Sequence, residues 1–143
     1  MKKIYLSLIA IFLLGLACSK IPDTISKFQD GINNNDYLKV AETISKDAND
    51  YNSLSNNDWS GLKDQIQNWR SAGDYTFSSV PESASSSPAD INCSVKNDNG
   101  SFNCYFQMKK AGIFPSWKIM KWKIDSDNNG SYDTSYILVK NKK

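Results

Sequence analysis

A turn sequence between two apolar segments constrains this chain more than any other feature. Residues 97–100 read Asn-Asp-Asn-Gly, a combination typical of the turn in a β-hairpin. If residues 98 and 99 form its tip, Cys93 lies opposite Cys104 on the neighbouring strand. The same register pairs apolar side chains on that face: Val95 with Phe102 and Ile91 with Phe106. Because a shift of one residue would turn every side chain to the other face, the turn, the apolar pattern and the cysteines together support one register.

Cys93 and Cys104 are predicted to form a disulfide. Directly opposed residues in a non-hydrogen-bonded pair approach the separation that a disulfide requires. Closing so short a loop stabilises a fold by about 2–3 kcal/mol. The alternative is a pair of buried free thiols. A redox-catalytic role is not indicated, since the two cysteines lack the C-x-x-C spacing.

The N-terminus has the pattern of an export signal. Two lysines precede an apolar stretch over residues 4–14, which is too short to span a bilayer. Residues 15–18, Gly-Leu-Ala-Cys, then resemble the lipobox of bacterial lipoproteins. The resemblance implies that Cys18 is lipidated, becomes the new N-terminus and carries several acyl chains, which anchor it firmly. The alternative is an ordinary signal peptide or an uncleaved anchor in which Cys18 has no role.

This resemblance also divides the chain and gives it a location. Residues 1–17 are predicted to be the signal peptide, residues 18–22 the lipidated cysteine with a short tether, and residues 23–143 a single α+β domain. The residue after the cysteine is Ser19 and not an aspartate. In Gram-negative lipoproteins this pattern goes with sorting to the outer membrane, so we expect an exported protein that is lipid-anchored there.

The distribution of charge excludes one class of partner. Without residues 1–17 the chain carries 15 basic and 15 acidic residues. A net charge of zero argues against nucleic-acid binding, which needs an excess of cationic surface. Residues 18–100 have 7 basic and 12 acidic residues, whereas residues 101–143 have 8 basic and 3 acidic residues. The two parts either complement each other within one fold, or present a lysine-rich sheet face to an anionic surface such as lipid headgroups.

Apolar periodicity changes from helical to alternating near residue 75. Helical spacing predicts one helix from Pro22 to Asn33, a second capped by Asp36 and extending to Ala48, and a third from about Asp58 to Ser71. Alternation predicts strands over 75–77, 91–96, 101–109, 117–124 and 132–140, with a flexible Ser- and Pro-rich loop over 78–90. We therefore expect an α+β fold in which about three N-terminal helices pack on one face of a four- to five-stranded antiparallel sheet.

Two sequence features resemble the NTF2-like superfamily. One is the segment from Phe28 to Ile44, with Asn35-Asp36-Tyr37 between two helices, and the other is Trp117-Lys118-Ile119 in a late strand. The resemblance implies helices on a curved antiparallel sheet, and a cystatin-like arrangement remains an alternative. It implies no single function, because this superfamily hosts enzymes, binding proteins and assembly modules.

Residues 125–133 match the first part of a calcium-binding loop, in which alternate residues supply oxygen atoms and a glycine permits the sharp turn. The expected donors are the side chains of Asp125, Asp127 and Asn129, the backbone carbonyl of Ser131, and Asp133 directly or through water. An EF-hand has glutamate at the twelfth position, where this chain has Tyr136. The loop instead resembles shorter calcium loops of extracellular proteins, and an affinity of about 10⁻⁴–10⁻³ M is expected. The alternative is a polar turn without metal.

Two tryptophans in the fourth predicted strand are candidates for binding. Trp117 lies on one face with Ile119, and Trp122 on the other with Met120 and Ile124. Apolar side chains on both faces indicate a central strand buried on both sides, or a strand with a bulge. A functional interpretation is an exposed aromatic and lysine face that binds a partner.

The residues that are absent limit the chemistry. The chain contains no histidine and no glycine-rich phosphate loop, so the commonest general base and metal ligand are missing. We therefore expect a non-catalytic envelope lipoprotein, held by its lipid, that binds an unknown protein or small molecule, with weakly bound Ca²⁺ as the only expected cofactor. One alternative is an inhibitor or immunity-type protein that binds an envelope enzyme or toxin. Another is a small hydrolase of envelope polymers with two carboxylates, for which Asp64 and Asp74 are examples.

Overall fold

The computed structural model describes residues 19–132 and the backbone of Thr134 and Ser135. The elements are α1 (Ile21–Asn33), α2 (Tyr37–Ala41), α3 (Tyr51–Arg70), β1 (Thr76–Ser78), β2 (Ala89–Asn97), β3 (Gly100–Ala111), β4 (Ser116–Asp125) and β5 (Thr134–Ser135). The strands form one antiparallel sheet in the order β1-β2-β3-β4-β5. The helices pack with this sheet, which confirms the predicted α+β class. The described residues include no helix with the length and apolar character needed to cross a membrane.

Helix α1 begins and ends as its sequence predicts. Pro22 occupies its first turn, and the Asp23 carboxylate accepts a hydrogen bond from the Lys20 backbone N–H at 3.0 Å. Proline removes a backbone donor that would have no partner inside the helix, and the carboxylate accepts from another. Its buried stripe has the helical spacing expected of a face packed on a core: Ile21, Ile25, Phe28 and Ile32.

The second helix is shorter than predicted. The Asp36 side chain caps it by accepting from the Lys39 N–H at 3.1 Å, but the helix ends at Ala41. Residues 43–45 then run beside β4: Ser45 N–H donates to Ile119 O at 2.9 Å, and Ile119 N–H donates to Thr43 O at 2.8 Å. Pairing with β4 therefore replaces the helical continuation to Ala48, because it satisfies backbone groups of residues 43–45 and of Ile119.

The third helix begins earlier than predicted, at Tyr51, and is interrupted. Residues 56–59 leave the helical conformation, with positive φ at Asn57, Asp58 and Trp59. The part that follows corresponds to the predicted helix. Its buried side chains are Leu62, Ile66 and Trp69.

The β2–β3 hairpin has the predicted register. Cys93 pairs with Cys104, Val95 with Phe102 and Ile91 with Phe106. The two cysteines form a disulfide, which confirms that prediction. Side chains of this face enter the core and meet Phe28 of α1, whose ring lies 5.9 Å from the Phe106 ring. Register, disulfide and packing on α1 thus agree, as they must where one face of a hairpin is buried.

A β-bulge changes the faces predicted for β4. Gln107 pairs with Lys121 but Met108 pairs with Ile119, so Met120 is an extra residue in the strand. The extra residue resets the alternation and turns both tryptophans to the helix side. Trp117 is 6% exposed and Trp122 is 0% exposed. The placement of Trp117 and Trp122 on opposite faces was therefore wrong, whereas the bulge was one of the two predicted causes of the pattern.

Both edges of the sheet are covered over part of their length. At β1, Gln29 Oε1 accepts from the Phe77 N–H, and the Asn33 side chain bonds both backbone groups of Tyr75, each at 2.8 Å. At β4, residues 43–45 cover the first half and β5 pairs with residues 123–124. The rest of the strand predicted over 132–140 lies outside the described residues.

Candidate functional site

The face of the sheet opposite the helices, here called the outer face, is polar and basic. Alternation along β2, β3 and β4 places side chains of this kind on it: Asp90, Asn92, Ser94, Asn103, Tyr105, Gln107, Lys109, Lys118, Lys121 and Lys123. The described helices lie on the other face, where the apolar core is. The outer face is therefore available to a partner over the described residues.

A hydrogen-bonded group of polar side chains lies at the centre of the outer face. Tyr105 OH donates to Asp90 Oδ1 at 2.6 Å, and Gln107 Nε2 donates to the same oxygen at 3.4 Å. The Tyr132 ring packs 5.7 Å from the Tyr105 ring, and Tyr132 OH donates to Asn92 Oδ1 at 3.3 Å. Two aromatic rings beside a carboxylate and two amides form a surface that can hold a polar ligand by hydrogen bonds.

Burial raises the pKa of Tyr105 well above its ordinary value, and the hydrogen bond to Asp90 and the charge of that carboxylate act in the same direction. A phenol in this environment remains protonated at neutral pH. Tyr105 can therefore donate a hydrogen bond but is poorly suited to accept a proton as a general base.

The lysines of the outer face differ in their partners. Lys109 Nζ lies 2.5 Å from Asp47 Oδ2, and Lys118 Nζ donates to the Glu42 carbonyl. Burial lowers the pKa of Lys118, the positive charge of Lys27 lowers it further, and Glu42 opposes this shift. Lys121 and Lys123 make no ion pair with any residue that the structure describes. Together with the exposed Lys96 of β2, which also makes no ion pair with a described residue, they are lysines of this face available to an anionic partner.

Two clefts of about 430 Å³ flank Ser19, the first described residue. One is lined by Ser19, Lys20, Glu82, Ser83, Lys110, Pro115 and Trp117. The other is lined by Ser19, Asp23, Thr24, Lys27, Glu42, Thr43, Ser116 and Lys118. Both linings combine charged and hydroxyl groups with a larger share of apolar surface, so they suit a ligand that carries both polar and apolar groups.

The predicted calcium loop is held together by its own side chains. Both carboxylates accept from the Asn129 N–H, Asp125 Oδ1 at 3.1 Å and Asp127 Oδ1 at 3.2 Å, and Asp125 Oδ2 accepts from Gly130 N–H at 2.9 Å. Asn129 Oδ1 in turn accepts from Ser131 N–H at 2.7 Å. Asp125 is fully buried, so these bonds satisfy a carboxylate that has left water.

This geometry brings Asp125, Asp127 and Asn129 around one short segment, as the calcium interpretation requires, and it also suffices for a polar turn. Asp133 lies outside the described residues, as does Cys18. Within the described part, no three His, Cys, Asp or Glu residues form a group that could hold a metal ion. Calcium binding stays a prediction.

The tryptophans do not form the exposed aromatic face that one interpretation expected. Trp122 packs in the core against Trp69, with ring centroids 5.1 Å apart. Trp117 is buried at the wall of one cleft, where Lys110 Nζ lies 5.3 Å from its ring centroid. The exposed-face interpretation of Trp117 and Trp122 is therefore wrong, because the bulge directs both side chains inward.

The carboxylates do not single out a catalytic pair. Asp64 and Asp74 are exposed, and neither lines the two clefts beside Ser19. Asp23 and Glu42 share one cleft, but Asp23 accepts from the Lys20 N–H and Glu42 pairs with Lys27. Asp23 and Glu42 are thus each bound by another residue of the chain, and they do not support the hydrolase interpretation.

Sequence reasoning missed the contact between Asp90 and Tyr105 and the two exposed apolar residues Ile113 and Phe114 between β3 and β4. The contact between Asp90 and Tyr105 could have been predicted from the sequence. The predicted hairpin register places Tyr105 opposite Asn92, and therefore diagonal to Asp90 on the same face. The exposure of Ile113 and Phe114 had no comparable signal, because apolar residues in a turn can fold back onto the core.

No family model matches the sequence, and neither a curated protein nor a solved structure matches it.

Proposed function

We propose that this chain is a non-catalytic, lipid-anchored lipoprotein of the bacterial envelope that binds a partner or ligand through the outer face of its sheet. The proposed anchor is the lipid on Cys18, and the proposed location is the outer membrane. The anchor is supported by the sequence of residues 2–18 and by the position of Ser19, which lies at the surface between two clefts.

The observation that carries the binding role is the outer face itself. The described helices pack on the opposite face, while the outer face presents Lys121 and Lys123 beside the hydrogen-bonded group of Tyr105 and Asp90. Unpaired lysines next to aromatic rings fit a partner that combines negative charge with flat or apolar groups. An acidic protein segment or an anionic glycan has this chemistry.

The anchor is tested by metabolic labelling with an alkyne fatty acid. We expect the wild-type chain to incorporate the label and to fractionate with membranes, and Cys18→Ser to lose both properties. Equal labelling of the variant would contradict the proposed anchor. The distribution of the labelled chain between separated inner and outer membranes tests the location.

The binding surface is tested by reversing charge on it. Lys121→Glu combined with Lys123→Glu should abolish recovery of the partner from envelope extracts. The matched control is Lys39→Glu combined with Lys46→Glu, two lysines of the helical half, which should leave recovery unchanged. Equal recovery with both double variants would contradict the outer face as the binding surface.

One observation favours a second function, an inhibitor or immunity-type protein that blocks an envelope enzyme or toxin. The segment between β1 and β2 is rich in Ser and Pro and almost entirely exposed over residues 81–88. Its far end is tied to β3, because Ser87 Oγ accepts from the Lys110 N–H at 2.9 Å. Loops positioned by a rigid scaffold often carry binding residues, as an inhibitor requires. Replacing residues 81–86 by a short Gly-Ser linker should then abolish partner binding, whereas the outer-face proposal predicts that binding survives.

A further inference from the structure

The turn between β3 and β4 presents two adjacent apolar side chains to solvent. Ile113 is 94% exposed and Phe114 is 50% exposed. Besides these two, Leu38 is the one large hydrophobic side chain exposed in the described residues. Isolated exposed apolar residues are ordinary, but two neighbours at the tip of a projecting hairpin form a small apolar surface that favours contact with a nonpolar phase.

Ser19 is held beside the turn end of this hairpin, next to the first two residues of β4. Its N–H donates to Ser116 Oγ at 3.3 Å, and its carbonyl accepts from the Trp117 N–H at 3.5 Å. Thr24 of α1 reinforces the contact by donating to the Trp117 carbonyl at 2.9 Å. Consecutive Cα atoms are about 3.8 Å apart, so a group attached to the residue before Ser19 is held beside the β3–β4 hairpin.

The charge of the hairpin suits a phospholipid surface. Residues 101–124 contain five lysines and no acidic residue. Lys110 precedes the tip by three residues, and Lys20 lines the same cleft. The acids nearby are Glu82, which also lines that cleft, and Asp47, which pairs with Lys109. Lys20 and Lys110 form no ion pair with a described residue, so both can reach anionic headgroups.

We propose that Ile113 and Phe114 insert into the headgroup and acyl boundary of the bilayer that holds the Cys18 lipid. This inference rests on the proposed function, because the lipid brings the hairpin to the membrane. Two apolar side chains bind a bilayer weakly on their own. A lipid beside the hairpin makes the contact intramolecular and raises the effective concentration of the tip at the surface. The lipid and the tip then form two points of attachment, which fix the orientation of the sheet relative to the membrane.

The experiment measures the depth of the tip in a membrane. Phe114→Cys is expressed as the lipidated full-length product, labelled with a polarity-sensitive fluorophore and reconstituted in vesicles of phosphatidylethanolamine and phosphatidylglycerol. Cys93 and Cys104 are joined in the disulfide, so the new thiol is the one that reacts. Leu38→Cys is the matched control, since Leu38 is an exposed apolar residue that lines neither cleft beside Ser19.

We expect nitroxide groups on the lipid chains to reduce emission from the label at residue 114 by about twofold, with little effect at residue 38. Equal, weak quenching at both positions in a lipidated protein would overturn the tip contact and leave the proposed function intact. An intact mass with a free Cys18 thiol would overturn both. If envelope proteins, but not vesicles, shield the label at residue 114 from water, this result would also overturn the membrane contact and assign the tip to a protein partner.

Discussion

Replacing Gly31 by alanine tests a close approach between α1 and α2. A Cβ at this position would lie 2.5 Å from Val40 Cγ2, 3.0 Å from Val40 N and 3.2 Å from Asp36 O. Alanine is favoured over glycine inside a helix by about 0.5–1 kcal/mol, because glycine loses more backbone entropy on folding. The helix propensity and the steric contact therefore oppose each other, and the structure decides which is larger.

The steric contact should be the larger effect. Carbon atoms in contact are normally about 3.5–4.0 Å apart, so Val40 would have to move by about 1 Å. Val40 is fully buried and has a stiff branched side chain, and two of the three close atoms belong to the backbone. Overpacking of this kind costs about 1–3 kcal/mol. After subtraction of the helix propensity, Gly31→Ala should lower the free energy of unfolding by about 1–2 kcal/mol.

A double-mutant cycle identifies the cause. Val40→Ala alone removes two buried methyl groups and should cost about 2 kcal/mol. In Gly31→Ala with Val40→Ala, the new methyl group occupies part of the vacated space, so the combined loss should be smaller than the sum of the two by about 1 kcal/mol. Urea unfolding with the disulfide intact measures each free energy. Ser26→Ala, an exposed substitution on α1, is the control and should be neutral or slightly stabilising.

Two results would refute this reasoning. One is a Gly31→Ala variant that is as stable as the wild type or more stable. The other is a double variant whose loss of stability equals the sum of the two single losses, since that would show that residues 31 and 40 do not contact each other.

Three further predictions concern the sheet and its loops. Replacing Cys93 and Cys104 by alanine should lower the free energy of unfolding by about 3 kcal/mol, measured by urea unfolding, because the disulfide closes a short loop. Calcium at about 5 mM should raise the thermal midpoint by about 4–9 °C, and Asp127→Ala should remove this rise. The pKa of Tyr105 is raised on folding, so the stability that it contributes is lost as pH rises above its ordinary value of 10.0. Tyr105→Phe should therefore show a smaller loss of stability than the wild type between about pH 10 and 12.

Each of these has a control in the same chain. Reduction of the wild-type disulfide should reproduce the loss seen in the alanine variant, and equal stability of oxidised and reduced protein would contradict the disulfide prediction. Asn99→Ala, in the β2–β3 turn, should leave a calcium response unchanged, and magnesium should not substitute. An alkaline unfolding curve that is identical in Tyr105→Phe and wild type would contradict the role of the Asp90 contact.

The β2–β3 hairpin shows what local sequence can determine. Its turn residues, its alternation and the spacing of Cys93 and Cys104 all depend on neighbours within one hairpin, so they could be combined before any tertiary contact was known. The polar side chains of its outer face, including Tyr105, followed from the same register. The start of α1 was equally local, because Pro22 and Asp23 act within its first turn.

Other features depend on contacts that no local pattern contains. Ile44 has helical spacing from Val40, yet its segment pairs with Ile119 of a distant strand. The bulge at Met120 was visible only as apolar residues on both faces, a pattern that a doubly buried strand also produces. The exposure of Ile113 depends on whether a turn folds back or projects, which the packing of the whole hairpin decides.

The covered sheet edges would matter for a protein held at high density on a membrane, as the proposed anchor implies. An open strand edge can template pairing with a second copy, and molecules held on one plane meet far more often than molecules in solution. Here Gln29 and Asn33 occupy backbone groups at one edge, while residues 43–45 and β5 occupy those at the other. Over the described residues, the covered parts of β1 and β4 would therefore offer few free backbone groups to a neighbouring copy, which disfavours pairing between sheets at these positions.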